Sequence, residues 1–537
     1  MSISRSMVVA PQPEAAEAAA DILDAGGNAI DAAIACAFVQ GVVDPLMTGI
    51  AGFGSMGVFS RTTGVHEYID FHAPAPKRAR DDMWADLIVG EARDGYGFIT
   101  KGNVNDIGYQ SICVPAALRA YETAHAKFGR LPWAEVMAPA IDWARRGWTV
   151  RPHVAAWWSA EGAMGRIGGP ERLSYTEAAK ELYCDDHSRP KQVGATVVNK
   201  DLAATLEEIA RSGADAFYRG DIAARIAEDM QANGGLLSRE DLADYAPVLT
   251  SPVWGDYRGY RVATNQPPGG GLMLLQMLNI LENFDLRSLG HNSAEYIRVV
   301  CEAMKVATAD KDRYIGDPKF VDVPVDRLLS KAYAQDIADG IRQGRKFEVP
   351  RFNSGHPSKD TTHLSVVDKE GNCVSMTHSL GMPSGVITKG LGFMYNGCMG
   401  VFDPRPGQTG SVHPGKARFS SICPTFVFKG DTPYVVVGAP GATQIAMGVL
   451  QAVLNVLDFD MKMSDAVASA RFSATSNIID VTNRIPRRET RKLEEQGYTV
   501  ERSPLTYGVA WVHGIRIVDG APDGGADPGA DGIVLSV

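Results

Sequence analysis

Apolar and polar positions divide this chain into a helical first part and a strand-rich last third. Glu14 to Ala25 is rich in Ala and Glu behind Pro13, which suits a first helical turn, and Gly26-Gly27 supplies a stop. Asn28 stands where it can cap a second helix, Ala29 to Gln40, whose alanines (Ala29, Ala32, Ala33, Ala35, Ala37) let neighbouring elements approach closely. Helical spacing recurs in Ala116–Arg145, Leu202–Ser212, Asp221–Asn233 and His291–Asp312. Gly271–Asn283 is apolar almost all round and predicts a buried helix. The texture changes after residue 345. Residues 346–360 are polar with two prolines and a glycine, a loop or linker. A β-type run, Thr361–Val367, follows at once, then a turn at Asp368–Asn372 and a second strand, Cys373–Leu380. Strands are also expected at Thr425–Phe428, Tyr434–Gly438 and Ile533–Ser536, with a helix at Thr443–Leu457. The Asp/Gly/Pro-rich piece Asp519–Asp531 reads as a loop.

Composition narrows the class. The 537 residues are 45% hydrophobic and 22% charged, which excludes a disordered chain, a collagen and a small disulfide-stapled module. A formal charge of −10 argues against nucleic acid or an anionic membrane as partner. The seven cysteines are scattered without a C-x-x-C pair, so neither a disulfide framework nor a cysteine-rich zinc site is expected. No 18-residue uncharged apolar segment occurs, and the apolar run before Pro11 is short for a secretory signal; a soluble cytoplasmic protein is expected. The histidines form no H-E-x-x-H, and G-x-S-x-G and the P-loop are both missing, so no metal or cofactor is expected. Gly52-Phe-Gly-Ser-Met-Gly57 matches G-x-G-x-x-G. Here, however, a helical segment precedes the glycines and a strand, Met56–Ser60, follows. That order is wrong for dinucleotide binding and fits tight backbone packing.

The hairpin beginning at Thr361 carries the candidate chemistry. A turn centred near Glu370 places Thr361 opposite Ser379 and His363 opposite Thr377, so hydroxyls gather at the open end: Thr361, Thr362, Thr377 and Ser379. Threonine pairing across strands accounts for this by propensity alone. A second reading starts from cleavage of the Asp360–Thr361 bond, which gives Thr361 a free α-amine beside its own hydroxyl. Hydroxyls need an adjacent base to act as nucleophiles, and an amine with a pKa of about 8 can take that proton. The precursor could cut itself if Thr361 Oγ1 attacks the Asp360 carbonyl and the resulting ester hydrolyses. An oxyanion would need donors. Tyr434–Ala442 followed by Thr443–Leu450 reads as strand, Gly-rich turn and helix, which offers the N–H groups of Gly441 and Ala442 at a helix start. An ordinary βα turn reads the same way. Ser420-Ser421 adds two more hydroxyls.

Together these pieces resemble the γ-glutamyltranspeptidase (glutathione hydrolase) family, nearly end to end. Gly26-Gly-Asn-Ala-Ile-Asp-Ala-Ala33 looks like its G-G-N-A-x-D-A-A signature, Pro267-Pro-Gly-Gly-Gly271 and Gly316-Asp-Pro318 match its middle, and Thr361–Asn372 resembles the start of its small subunit. The resemblance implies an α/β (α+β) N-terminal-nucleophile hydrolase, a four-layer αββα sandwich. It also implies a precursor processed into a large subunit (1–360) and a small one (361–537). The subunits would be each other's partners, a small-molecule amide the substrate, and a homo-oligomer of heterodimers stays open. The nucleophile falls on Thr361, the supporting hydroxyl on Ser379 where the family has threonine, the serine pair on Ser420 and Ser421, and the oxyanion glycines on Gly441 and Ala442.

Departures from the family pattern bear on substrate. His72 stands where the family's arginine grips the γ-glutamyl α-carboxylate, and Gly381 stands where it has asparagine. Its acidic stretch for the α-ammonium is Asn396–Phe402 here, without a carboxylate. A zwitterionic head would lose both clamps, at a cost of roughly several kcal/mol. Substrate contacts are therefore expected from His72, Thr377, Gly381, Arg418, Ser420 and Ser421, with His72, Arg418 or His378 available to a carboxylate. Three readings stay open: an amidohydrolase of altered acyl specificity (oxamate-like or bulkier), a genuine glutathione hydrolase or transferase, and an unprocessed binding or structural protein.

Overall fold

The computed structural model describes residues 3–61, 63–91, 97–162, 166–350 and 361–537. Most of the expected linker, including Asp360, lies outside the described residues. In chain order the strands of the two central sheets are β1 (Met7–Ala10), β2 (Phe53–Ser60), β3 (Val65–Phe71), β4 (Val248–Thr250), β5 (Val253–Tyr257), β6 (Tyr260–Thr264), β7 (Thr362–Val367), β8 (Cys373–Ser379), β9 (Thr425–Lys429), β10 (Thr432–Gly438), β11 (His513–Val518), β12 (Ala521–Gly525) and β13 (Ile533–Ser536). The first sheet runs β13-β1-β7-β8-β2-β3-β4 and the second β12-β11-β10-β9-β6-β5, with neighbours antiparallel throughout.

Helices α1 (Pro13–Asp24) and α2 (Ala29–Val43) cover the outer face of the first sheet. α3 (Gly271–Leu281) and α5 (Ile445–Leu457) cover the second, with α4 (Ala294–Tyr314) packed on α3. This is the αββα sandwich. β7 and β8 are buried at every position, because helices lie on one face and a sheet on the other. The space between the sheets is filled by Met7, Val9, Tyr68, Val367, Phe426, Phe428, Val436 and Ile515, among others. Both sheets interleave strands from either side of position 361: the hairpin β7–β8 sits between β1 and β2, and β9 pairs with β6. A cut at that point would therefore leave the two pieces joined by complete hydrogen-bond ladders and a shared core.

The Gly-Gly-Asn-Ala-Ile-Asp segment has a local physical role. Asn28 Oδ1 accepts the N–H groups of Ile30 (2.9 Å) and Asp31 (3.0 Å), and Asp31 returns a bond to the Asn28 N–H, a capping box on α2. The Ala29 N–H donates to Asp368 Oδ2 (3.0 Å), which ties the β7–β8 turn to the same helix start.

The predicted helices and the Thr361 hairpin appear with shifts of a few residues. Asp519–Asp531, expected to be a loop, instead contains β12. This is an edge strand, where Pro522 can sit because its missing N–H faces no partner. Among the described residues, no helix is long and apolar enough to cross a membrane.

Candidate active site

The hairpin register places Thr362 opposite His378 and His363 opposite Thr377, as its turn predicted. On β7 and β8 the odd-numbered residues face the second sheet. Ser375 Oγ donates to the Val437 carbonyl (3.0 Å), and His363 packs on Gly438, where an added Cβ would lie 2.3 Å from its Cε1. Thr361 and Ser379 share that face at the open end. Thr361 Oγ1 donates to Ser379 Oγ (3.1 Å), which also accepts the Gly381 N–H (2.8 Å).

The row continues across the sheet. Ser379 pairs with Phe53 on β2, and Gly54 pairs with Phe71, so Phe53 lies beside His72 just past the end of β3. Ser55 and Asp70, joined by a hydrogen bond of 2.5 Å, show that Phe53 and His72 point to the same inter-sheet face. Gly52 and Gly54 are small for a packing reason: a Cβ on either would lie 2.4 Å from the carbonyl of Ser379 or Thr377. This is the backbone approach expected of that Gly-rich stretch.

Over this row lies Arg418, 1% exposed, its guanidinium 4.4 Å from the Phe53 ring centroid and its Nη1 3.5 Å from Cys398 Sγ. Gly381, at φ 71°, leaves the room Arg418 needs: a Cβ there would lie 3.2 Å from Arg418 Nη1 and 3.0 Å from Cys398 Sγ. Ser420 and Ser421 are buried beside the loop after β6. The Ser420 N–H donates to the Pro268 carbonyl (2.9 Å) and the Gly270 N–H to the Ile422 carbonyl (2.8 Å). Gly441 and Ala442 follow β10. The first turn hydrogen bond there, Gln444 N–H to the Gly441 carbonyl (2.9 Å), comes after their own N–H groups. Ala442 adopts φ 48°, a left-handed conformation that costs alanine about 1 kcal/mol.

Two expectations need correction. Thr377 lies one pleat below Ser379, fully buried, and its Oγ1 is bonded to His363 Nδ1 (2.7 Å), so it does not reach the mouth. His378 faces the helices, being an even-numbered neighbour of Ser379, and is unavailable to a carboxylate. Its Nε2 meets Gln40 Oε1 (2.7 Å), which can only accept; Nε2 therefore carries the proton, and Nδ1 is the ring's acceptor, facing the hydroxyls of Tyr121 (2.6 Å) and Thr48 (2.8 Å). Gln40 Nε2 donates onward to Gln12 Oε1 (2.7 Å) and Thr362 Oγ1 (3.0 Å), and Gln12 Nε2 to Asp44 (2.8 Å). Sequence reasoning missed this buried chain beneath Thr361–Thr362, although Gln40, the one polar side chain in α2 after its capping Asp31, was a signal. Phe53 was missed too, hidden inside the glycine pattern.

Burial holds three imidazoles neutral. His378 is pushed down to about 3 by burial, and His72 to about 3 by burial and then Arg418. His363 lies well below its usual range through burial, then His513 and His378. Such weakly basic rings cannot take a hydroxyl proton effectively near pH 7.

A hydroxyl at the head of a strand, on the inner face of two stacked antiparallel sheets between helical layers, defines the N-terminal-nucleophile class of hydrolase. The family model described as gamma-glutamyltranspeptidase matches residues 15–537, and the chain belongs to that family of enzymes. It is 37% identical over 527 residues to the acylase ACY 1 proenzyme of Pseudomonas sp. (strain SE83), covering 97% of this chain and 91% of that one. To the glutathione hydrolase proenzyme of Escherichia coli (strain K12) it is 35% identical over 489 residues, covering 87% and 80%. The crystal structure of cephalosporin acylase from Bacillus halodurans superimposes with a TM-score of 0.85 at 29% identity, covering 100% of this chain and 96% of that one.

Proposed function

We propose that this enzyme is a self-processing amidohydrolase whose nucleophile is Thr361, acting on an acyl group other than γ-glutamyl. In maturation, Thr361 Oγ1 attacks the Asp360 carbonyl carbon and the peptide C–N bond breaks. Water then hydrolyses the Asp360 ester, leaving a carboxylate at 360 and a free α-amine at 361. In turnover, that amine takes the Oγ1 proton as Oγ1 attacks the substrate carbonyl, then gives it to the departing amine; water releases the acyl group. Ser379 orients Oγ1, and the N–H groups of Gly441 and Ala442 receive the oxyanion. The observation that carries this reading is the 3.1 Å bond from Thr361 to a Ser379 oxygen also held by the Gly381 N–H, among imidazoles too weakly basic to replace the amine.

The acyl specificity rests on His72, neutral and buried where the family pattern has arginine, and on the absence of a carboxylate from 396–402. Asn396 is spent on backbone: its Oδ1 accepts the Cys113 N–H (3.0 Å) and its Nδ2 donates to the Ala51 carbonyl (2.8 Å). Arg418 remains as the cation beside the row, suited to a short 2-oxo acid carboxylate. The similarity to a glutathione hydrolase proenzyme favours the competing γ-glutamyl reading.

Two experiments decide. Denaturing electrophoresis with N-terminal sequencing should give fragments of 360 and 177 residues, the smaller beginning at Thr361, and Thr361→Ala should remain a single chain of 537. Steady-state hydrolysis of γ-glutamyl-p-nitroanilide should be poor beside oxamate or other non-glutamyl amides; efficient glutamyl turnover overturns the specificity.

A further inference from the structure

Behind the Gly441–Ala442 turn runs a short strap, residues 508–511, that leads into β11. It holds two consecutive left-handed residues, Val509 at φ 58° and Ala510 at φ 62°. A residue with a Cβ is strained in that conformation, and a β-branched one is a genuine outlier. Gly508, which could adopt it freely, is not the residue that does.

The surroundings hold the strap in this shape. Arg471, 1% exposed, donates from Nε to the Val509 carbonyl (3.1 Å) and from Nη2 to the Ala510 carbonyl (3.0 Å). The same guanidinium is paired with buried Asp527, whose Oδ2 also accepts the Val512 N–H (3.1 Å). One buried ion pair therefore grips the backbone on both sides of Trp511. Strain fixed in this way gathers at functional sites.

The inner edge of the strap meets the turn. The Trp511 N–H donates to the Pro440 carbonyl (3.0 Å), one residue before Gly441. The Ala510 methyl, 2% exposed, fits a cradle made by two glycines. A Cβ added to Gly441 would lie 2.6 Å from both Cα and Cβ of Ala510, and one added to Gly448 in α5 would lie 2.7 Å from the same Cβ. A right-handed or extended residue 510 would swing its methyl out of this cradle. The strained conformation is what creates the contact.

We propose that Ala510 is a positioning residue for the oxyanion turn. Its methyl braces Gly441, so that the N–H groups of Gly441 and Ala442 are already aimed when negative charge develops. The inference rests on the reading that these groups receive the oxyanion formed by Thr361. Ala510 touches no reacting atom and acts only through the turn.

The test is Ala510→Gly in the processed enzyme, with p-nitrophenyl acetate as probe. Thr361 Oγ1 bonds to the acetyl carbon, the α-amine takes the hydroxyl proton and p-nitrophenolate departs in a burst that reads acylation. The variant should acylate about tenfold more slowly at saturating ester, against the roughly hundredfold or more lost when a whole oxyanion donor is removed. Its half-saturation concentration should not change. It should melt within about 2 °C of wild type, because relief of the left-handed residue offsets the lost methyl contact. A burst rate within about twofold of wild type overturns the inference. So does a slower burst joined to a melt more than about 5 °C lower, which marks a merely structural role. Mass analysis of the 177-residue fragment separates the two readings. If wild-type Thr361 carries acetyl and Ala510→Gly is unslowed, only the strap is refuted; if no acetyl reaches Thr361, the Thr361 reading falls and this inference falls with it.

Discussion

Replacing Ser379 with alanine tests the centre of the site. Its Oγ is the acceptor for the Thr361 hydroxyl (3.1 Å) and for the Gly381 N–H (2.8 Å), and the residue is fully buried. Removing it forfeits two hydrogen bonds of about 0.5–1.5 kcal/mol each and strips an acceptor from two buried donors. If 1.4–2.8 kcal/mol of this falls on the attack by Thr361 Oγ1, processing should slow by about ten- to a hundredfold, at 1.4 kcal/mol per factor of ten. The assay is a time course of the 360- and 177-residue fragments from freshly purified precursor, with single-turnover anilide cleavage by the matured enzyme. Ser379→Thr keeps the oxygen and should retain most of the rate. Circular dichroism should show the same fold in both variants. Processing of Ser379→Ala at the wild-type rate would refute the orienting role and with it the geometry assigned to Thr361.

Three further outcomes follow from the packing. Ala442→Gly relieves a residue at φ 48° and should raise stability by about 1 kcal/mol with processing intact, whereas Ala442→Val should lower both, as read by thermal melts and fragment yield. Gln40→Leu leaves the His378 Nε2–H without its acceptor and breaks two donations, to Gln12 and Thr362. A loss of roughly 2–4 kcal/mol is expected in urea unfolding, and a loss below 1 kcal/mol would mean the buried chain is not stabilising. Asp44 is lifted to about 6 by burial, against the pull of Arg151 and Gln12. The folded form then holds this proton more tightly than the unfolded chain does, so the contribution is full below about pH 4 and is lost as pH rises through 6. Asp44→Asn, which keeps an acceptor for Gln12, should gain on wild type between pH 4 and 7 by on the order of 3 kcal/mol; equal slopes of stability against pH would contradict it.

Much of the hairpin was legible because its determinants are local. The turn Asp368–Asn372 sets the register, so Thr361 and Ser379 could be paired by counting, and the two side chains do meet. Asn28 announced the cap of α2 for the same reason. Counting could not say which face each residue serves once helices cover one side and a second sheet the other. Thr377 and His378 therefore looked as available as Ser379, yet one is spent on His363 and the other on Gln40. The strands β3 to β6, β11 and β12 lack the alternation that marks a half-exposed sheet, and Pro522 and the Asp/Gly-rich segment around it disguised an edge strand.

The order of residues by itself determined the chemistry on offer: a threonine behind a polar linker, a serine opposite it, a Gly-rich turn before a helix, and no competing catalytic motif. Only the tertiary structure decided how that chemistry is surrounded. Arg418 reaches Phe53 because Gly381 has no side chain there, and His72 is neutral because strands and loops far apart in the chain remove it from water. Register is a short-range property that one turn can fix. Desolvation and charge are sums over everything packed around a group, and no stretch of sequence contains that sum.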